Sequence, residues 1–360
     1  MKRFRFGLLT TLIVAIALAA FAQLRAPQRP ALVARTGLTL AEAKTWGYQL
    51  QGAHAMLIPP EIDLLVIDHA RDASATDLIS AADVETFRQR PRAPPRIVLA
   101  YLSVGEAETY RYYWWKPWAS GAYFGLMRPS WLGSENKEWK GNFQVRYWQA
   151  GWQRLIVNPN RTRLEALREA WFGAHMSYID KLLEAGFDGV YLDRVDAFGA
   201  WEKAHPNAEA DMAAFVGAIS AYAKARRPGF LIVPQNGEEL TLRPEYRRAI
   251  DGIAKEDLMF GLDGTEHENA ADEIVHASET LTAARRAKLP VFVVEYLNDP
   301  DKQLSAQRRI SELGFTLTFA ERDLKAPPMV IQPLPVATAV PSVASPAPAP
   351  NASATQPPQR

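Results

Sequence analysis

Along the middle of the chain, short apolar runs alternate with longer stretches in which apolar residues recur every three or four positions. The short runs are residues 47–50, 64–68, 97–102, 189–193, 230–234, 252–256, 291–295 and 315–319. Most are nearly continuous, as in Leu64-Leu65-Val66-Ile67, which is how a strand buried on both faces reads. Between them, residues 163–184 carry Leu164, Leu167, Trp171, Ile179 and Leu183 at helical steps, with Gly186 placed to cap the end. Residues 210–225 repeat the pattern with Met212, Phe215, Ile219 and Tyr222 before the Pro228-Gly229 break. Strand–helix alternation predicts a parallel sheet, and eight such runs predict an α/β fold of the (β/α)8 TIM-barrel type. The alternative is an open doubly wound sheet, although no glycine-rich phosphate loop follows the first run.

The two ends of the chain differ from this middle. Lys2, Arg3 and Arg5 precede an apolar run over residues 6–21, and Ala20-Phe21-Ala22 has the small-x-small form of a cleavage site. Residues 1–22 therefore read as a secretory signal, with an uncleaved anchor helix as the alternative, and residues 23–35 as a linker. Residues 326–360 are mostly Pro, Ala, Ser, Thr and Val with no aromatic residue, a composition that predicts a disordered tail. One folded domain is expected over residues 36–325, a size that supports a substantial core. No cysteine occurs, so neither disulfides nor thiolate chemistry is available. The 41 basic and 40 acidic residues nearly balance, and removing residues 1–22 takes away three bases and no acid. That leaves no basic footprint for nucleic acid. A periplasmic or secreted monomer with no retained membrane span is expected.

Candidate chemistry lies at the strand ends, where a barrel of this kind carries its active site. The runs end in Asp68-His69, Ser103-Val104-Gly105-Glu106, Asp193 with Asp196 close behind, Gln235-Asn236, Glu256-Asp257 and Glu295-Tyr296. Collecting so many acids at one rim costs charge repulsion and raises their proton affinity. Glycoside hydrolysis needs that arrangement, because one carboxyl must stay protonated as acid while another attacks or activates water. Asp193 is the candidate nucleophile and Glu256 the candidate acid/base, on strands near enough for the roughly 5 Å separation of a retaining mechanism. An inverting mechanism stays open. The six histidines show no H-x-H or H-E-x-x-H spacing, so neither metal nor other cofactor is expected.

Between the third and fourth runs lies a long insertion dense in aromatics, from Tyr110 to Trp152. Aromatic faces pack on the C–H faces of sugars, and Trp114, Trp115 and Trp148 are the candidates for substrate contact. Many of the others are expected to form a satellite core that orders the loop.

Six segments carry a specific resemblance. Residues 47–51 (GYQLQ), 100–108 (AYLSVGEAE), 186–193 (GFDGVYLD), 235–240 (QNGEEL), 255–258 (KEDL) and 294–297 (VEYL) resemble, in order, the endo-α-1,4-polygalactosaminidase-like barrels of glycoside hydrolase family 114. The resemblance implies a (β/α)8 fold and endo-cleavage of α-1,4-linked galactosamine polymers. It also implies that Asp193 and Glu256 form the catalytic pair. Asp68, Tyr101, Glu106, Asp196, Gln235, Asn236 and Glu295 would then line the subsite for the sugar being cleaved, with Tyr296 beside them. Two other classes stay open, a non-catalytic glycan-binding barrel and a deacetylase. The first has no need of paired acids, and the second normally needs a metal site.

Overall fold

The computed structural model describes residues 37–72, 77–120, 128–158, 176–332 and 334. The predicted leader and linker, helix positions 163–175 and most of the tail lie outside the described residues. All eight apolar runs are strands, each within one residue of its expected position. They are β1 (Trp46–Gln49), β2 (Leu64–Ile67), β3 (Ile97–Ser103), β7 (Gly189–Asp193), β8 (Leu231–Pro234), β9 (Ile253–Glu256), β10 (Val291–Glu295) and β11 (Thr316–Phe319). Between β3 and β7 the chain adds β4 (Glu106–Glu108), β5 (Leu132–Glu135) and β6 (Asn142–Val145).

The parallel strands pair in the order β1-β2-β3-β7-β8 and β9-β10-β11. Two seams join these sheets. One parallel bridge, Gln235 with Ala254, links β8 to β9, and the Asn236 amide donates to the Ala254 carbonyl at 2.9 Å. On the other side the Trp46 indole donates to the Thr316 carbonyl at 3.1 Å.

Side-chain alternation shows how the sheet curls. Trp46, Tyr48, Leu64, Val66, Leu99, Tyr101, Tyr191, Val233, Ala254, Phe292 and Val294 come from seven strands and pack into one interior cluster. Their neighbours Leu65, Ile67, Val98, Ala100, Val190, Leu192, Ile232 and Val293 join a second cluster with the surrounding helices. An open sheet has helices on both faces, whereas here one face meets mainly itself, so the fold is barrel-like. Each fully buried aliphatic side chain stabilises by roughly 1.5–3 kcal/mol, and a core this large needs no disulfide.

The helices follow the expected periodicity. Ala208–Arg226 buries Met212, Phe215, Ile219 and Tyr222. Tyr178–Ala185 ends at Gly186, whose φ of 84° is the left-handed cap that a side chain would strain.

The ordered chain runs past the expected boundary at residue 325. Among the described residues no helix follows β11, and residues 326–332 lie instead across the outside of β1. Pro328 is buried against Gly47, where any side chain would overlap it, and Val330 and Ile331 pack on the outer cluster. The Gln307 side chain also donates to the Gln332 carbonyl at 2.6 Å. Composition cannot detect this, because the segment is ordered by the surface it covers. A chain ending after Lys325 is expected to lose about 2 kcal/mol and melt roughly 4 °C below one ending after Leu334. Equal melting temperatures for the two would contradict that role.

Candidate active site at the strand ends

The expected site residues gather at the C-terminal mouth of the strands. Asp193 is the last residue of β7, Glu256 the last of β9, and Gln235-Asn236 follow β8 between them. Asp193 accepts three hydrogen bonds. The Tyr101 hydroxyl donates to Oδ2 at 2.7 Å, and the Arg194 amide and Gln235 Nε2 donate to Oδ1 at 2.7 and 3.1 Å. Glu256 accepts two, from Asn236 Nδ2 at 3.0 Å and the Tyr296 hydroxyl at 3.0 Å. The Glu256 amide donates back to Asn236 Oδ1 at 3.2 Å. Consecutive residues Gln235 and Asn236 thus hold one carboxylate each.

The backbone is bent to achieve this. Arg194, Asn236 and Asp257, each just past a strand end, have φ of 59°, 61° and 52°. Left-handed backbone costs a non-glycine residue roughly 1–2 kcal/mol, and strain of that kind clusters at functional sites. Gly105 lets β3 turn sharply into β4, since a Cβ there would overlap the Arg194 carbonyl.

Burial, and then the negative charge of Glu256, push the Asp193 carboxyl up to about 7 against the opposing Tyr101 hydrogen bond. The Asp193 carboxyl therefore holds its proton more tightly than a free carboxyl, with the Glu256 charge beside it as one cause. Next to them Asp257 is pushed up to about 6 by burial, although Arg322 pairs with both its oxygens at 3.0 Å. The same guanidinium lies 4.6 Å from the centre of the Tyr296 ring. Several polar atoms at this mouth are buried with no hydrogen bond to the described residues, namely Ser103 Oγ, Gln235 Oε1 and Asp196 Oδ1. Buried polar groups demand partners, so these are places for ligand hydroxyls.

Other expected residues sit differently. Asp68 is buried against Arg111 (2.8 Å), the Ala70 amide and His69. Burial alone would raise its carboxyl, but the Arg111 charge and the His69 and Arg111 hydrogen bonds hold it at about 2. Glu106 is buried, accepting from Asn136 Nδ2 at 2.8 Å with Arg194 Nε at 3.4 Å. Asp196 is half-buried beside Arg194, at 3.8 Å.

Two of the expected residues sit away from the open mouth. Glu295 lies in the interior. It is 0 % exposed, and its oxygens accept the Met259 and Phe260 amides at 2.7 and 3.3 Å. Burial pushes it up to about 8 in spite of those bonds. Its place is to pin the loop that follows Glu256. Trp114 packs on Trp118 and Phe143 and, with Trp115, lines a separate cavity of about 360 Å³ that contains no strand-end residue. Trp131, Trp152, Tyr113 and Tyr147 are buried, as a satellite core requires. Trp148 stacks on His205 at 4.1 Å and meets Trp201 edge-on, beside the segment that follows β7. Among the described residues no three His, Asp or Glu side chains converge as metal ligands, and no helix is long and apolar enough to cross a membrane.

Sequence reading missed Arg111 and Arg322, the cations that hold Asp68 and Asp257. Arg322 was within reach of a search of the strand ends, since it lies three residues after β11. Arg111, inside the aromatic insertion, gave no local signal.

A barrel-like parallel sheet with two carboxyls held side by side at its mouth points to a class, the α/β glycoside hydrolases. Within that class the chain belongs to glycoside-hydrolase family GH114, whose model matches residues 27–332. It is 34% identical over 290 residues to an uncharacterised protein of Deinococcus radiodurans, covering 79% of this chain and 82% of that one. An uncharacterised protein of Methanocaldococcus jannaschii is 32% identical over 275 residues, covering 74% and 70%. In fold the chain resembles the glycoside hydrolase domain of PelA from Pseudomonas aeruginosa. The TM-score is 0.55 at 19% identity, over 80% of this chain and 98% of that domain.

Proposed function

We propose that the protein is an exported glycoside hydrolase that cuts α-1,4-linked galactosamine-type polysaccharide within the chain, with retention. The observation that carries this reading is the Gln235-Asn236 dipeptide holding Asp193 and Glu256 at one mouth. Asp193 in its ionised form, supported by three hydrogen-bond donors, is the nucleophile. It attacks the anomeric carbon as Glu256 protonates the leaving oxygen. Water then attacks the same carbon, its proton passes to Glu256, and the Asp193–sugar bond breaks. An acidic mouth with Asp196 and Glu239 nearby suits a polymer bearing amino groups. Export rests on the leader and on the family match, which begins at residue 27, beyond it.

The test is release of reducing ends from α-1,4-galactosamine polymer and its N-acetylated form, with the anomer of the first product read by NMR. A β-anomer from the α-linked polymer would refute retention, and no release from either form would refute the substrate. The proton balance sets the pH profile. Because Asp193 must be ionised to attack and its carboxyl lies at about 7, kcat/KM is expected to fall towards tenfold per unit below that point. A profile flat down to pH 5 would contradict Asp193 as the nucleophile.

A further inference from the structure

Beneath the two carboxylates the barrel interior is aromatic. Tyr48, on β1, stands 5.1 Å from Tyr191 and 6.2 Å from Trp46 between ring centres. Tyr48 and Tyr191 are almost fully buried, at 4% and 1% exposure, but their hydroxyls differ. That of Tyr191 is sealed away with no hydrogen-bond partner. The Tyr48 hydroxyl also bonds to none of the described residues, and the residue keeps 4% of its surface exposed. The two other interior phenols nearest the pair are both engaged, Tyr101 on Asp193 and Tyr296 on Glu256. Tyr48 is bonded to neither carboxylate, although the charges of Asp193 and Glu256 both reach it. Burial and these neighbours push its proton release far above the ordinary phenol range, so it stays a neutral donor at any working pH. A buried phenol that only packs would be replaceable by phenylalanine. A phenol with an uncommitted donor in the interior cluster, within reach of both carboxylate charges, is placed to meet what they act on.

We propose that Tyr48 is a further substrate-contacting residue, whose hydroxyl donates a hydrogen bond to an oxygen of the sugar held between Asp193 and Glu256. This rests on the hydrolase reading above. Its kinetic test compares Tyr48→Phe with Tyr191→Phe, two stacked rings that lose the same atom. Both variants should melt within about two degrees of wild type, since both keep their rings. Tyr48→Phe should lower kcat/KM ten- to a hundredfold, mostly in kcat, while Tyr191→Phe stays within twofold. Unchanged kinetics in Tyr48→Phe, or equal losses in both variants, would overturn the inference while leaving the hydrolase reading in place. Should wild type hydrolyse no polymer offered, binding of free galactosamine by calorimetry decides the matter. Binding weakened at least fivefold in Tyr48→Phe alone supports the contact, and unchanged binding removes it.

Discussion

Asp193→Asn and Glu256→Gln are each expected to lower kcat at least a thousandfold while leaving the protein folded. Both swaps keep the shape of the side chain and remove a group that the proposed two-step displacement cannot replace. Asparagine at position 193 can still accept from the Arg194 amide and Gln235, and can donate to the Tyr101 oxygen in place of accepting from it. The two variants are expected to part in stability. The wild-type Asp193 carboxyl, at about 7 in the folded state, lies above its unfolded value near 4. Its contribution is therefore most favourable below pH ~4 and is lost as pH rises through 7. Asparagine does not titrate, so Asp193→Asn should gain roughly 1–3 kcal/mol on wild type at pH 8 and much less at pH 5. Reducing-end assays and urea denaturation at both pH values measure this. Near wild-type turnover in either variant would dislodge the pair from catalysis, and a fully folded but inactive wild type would favour a glycan-binding barrel.

The second large effect falls on stability. The Arg111 side chain is 1% exposed and joins two buried carboxylates, Asp68 at 2.8 Å and Glu108 at 2.5 Å. The Tyr110 hydroxyl adds a bond to Glu108 at 2.6 Å, and its ring lies under the guanidinium at 5.0 Å. Arg111→Met keeps most of the volume but strands two negative charges in the interior. Removing one partner of a buried ion pair typically costs about 3–5 kcal/mol. The loss should depend on pH with a definite sign. In wild type Asp68 sits at about 2, below its unfolded value, so its contribution is present above pH ~4 and fades as pH falls through 2. In the variant the unpaired carboxyl is raised by burial, so the deficit should be full at pH 7 and shrink towards pH 4 as Asp68 protonates. Denaturation midpoints at the two pH values are the measurement. A variant within 1 kcal/mol of wild type at pH 7 would mean that water, rather than Arg111, neutralises these acids.

Much of this was legible from the chain alone, for identifiable reasons. The eight parallel strands emerge within one residue because strands covered on both faces leave unbroken apolar runs that no loop imitates. The pair at Asp193 and Glu256 follows from that framing, since an acid that ends such a run has only the barrel mouth to occupy. The antiparallel sheet β4-β6-β5 was not foreseen. Its strands are four residues or shorter, and only their pairing makes them strands. The burial of Glu295 was not legible because the cover over it, residues 258–260, comes from another strand's loop. Arg111 and Arg322 were missed for a similar reason, since charge pairing across 43 or 65 positions leaves no local trace.

The seam between β8 and β9 has a consequence for the reaction itself. Strand pairing there is reduced to one bridge, and Asn236 supplies from its side chain the paired contacts with Glu256 that a longer ladder would have made with backbone. In the proposed mechanism the gap between the Asp193 and Glu256 oxygens is therefore gauged by two adjacent amide side chains. On that reading, altered strand lengths or outer helices would leave the gap unchanged so long as the dipeptide is kept. Conversely, a change of one methylene in it alters the gauge without touching the fold.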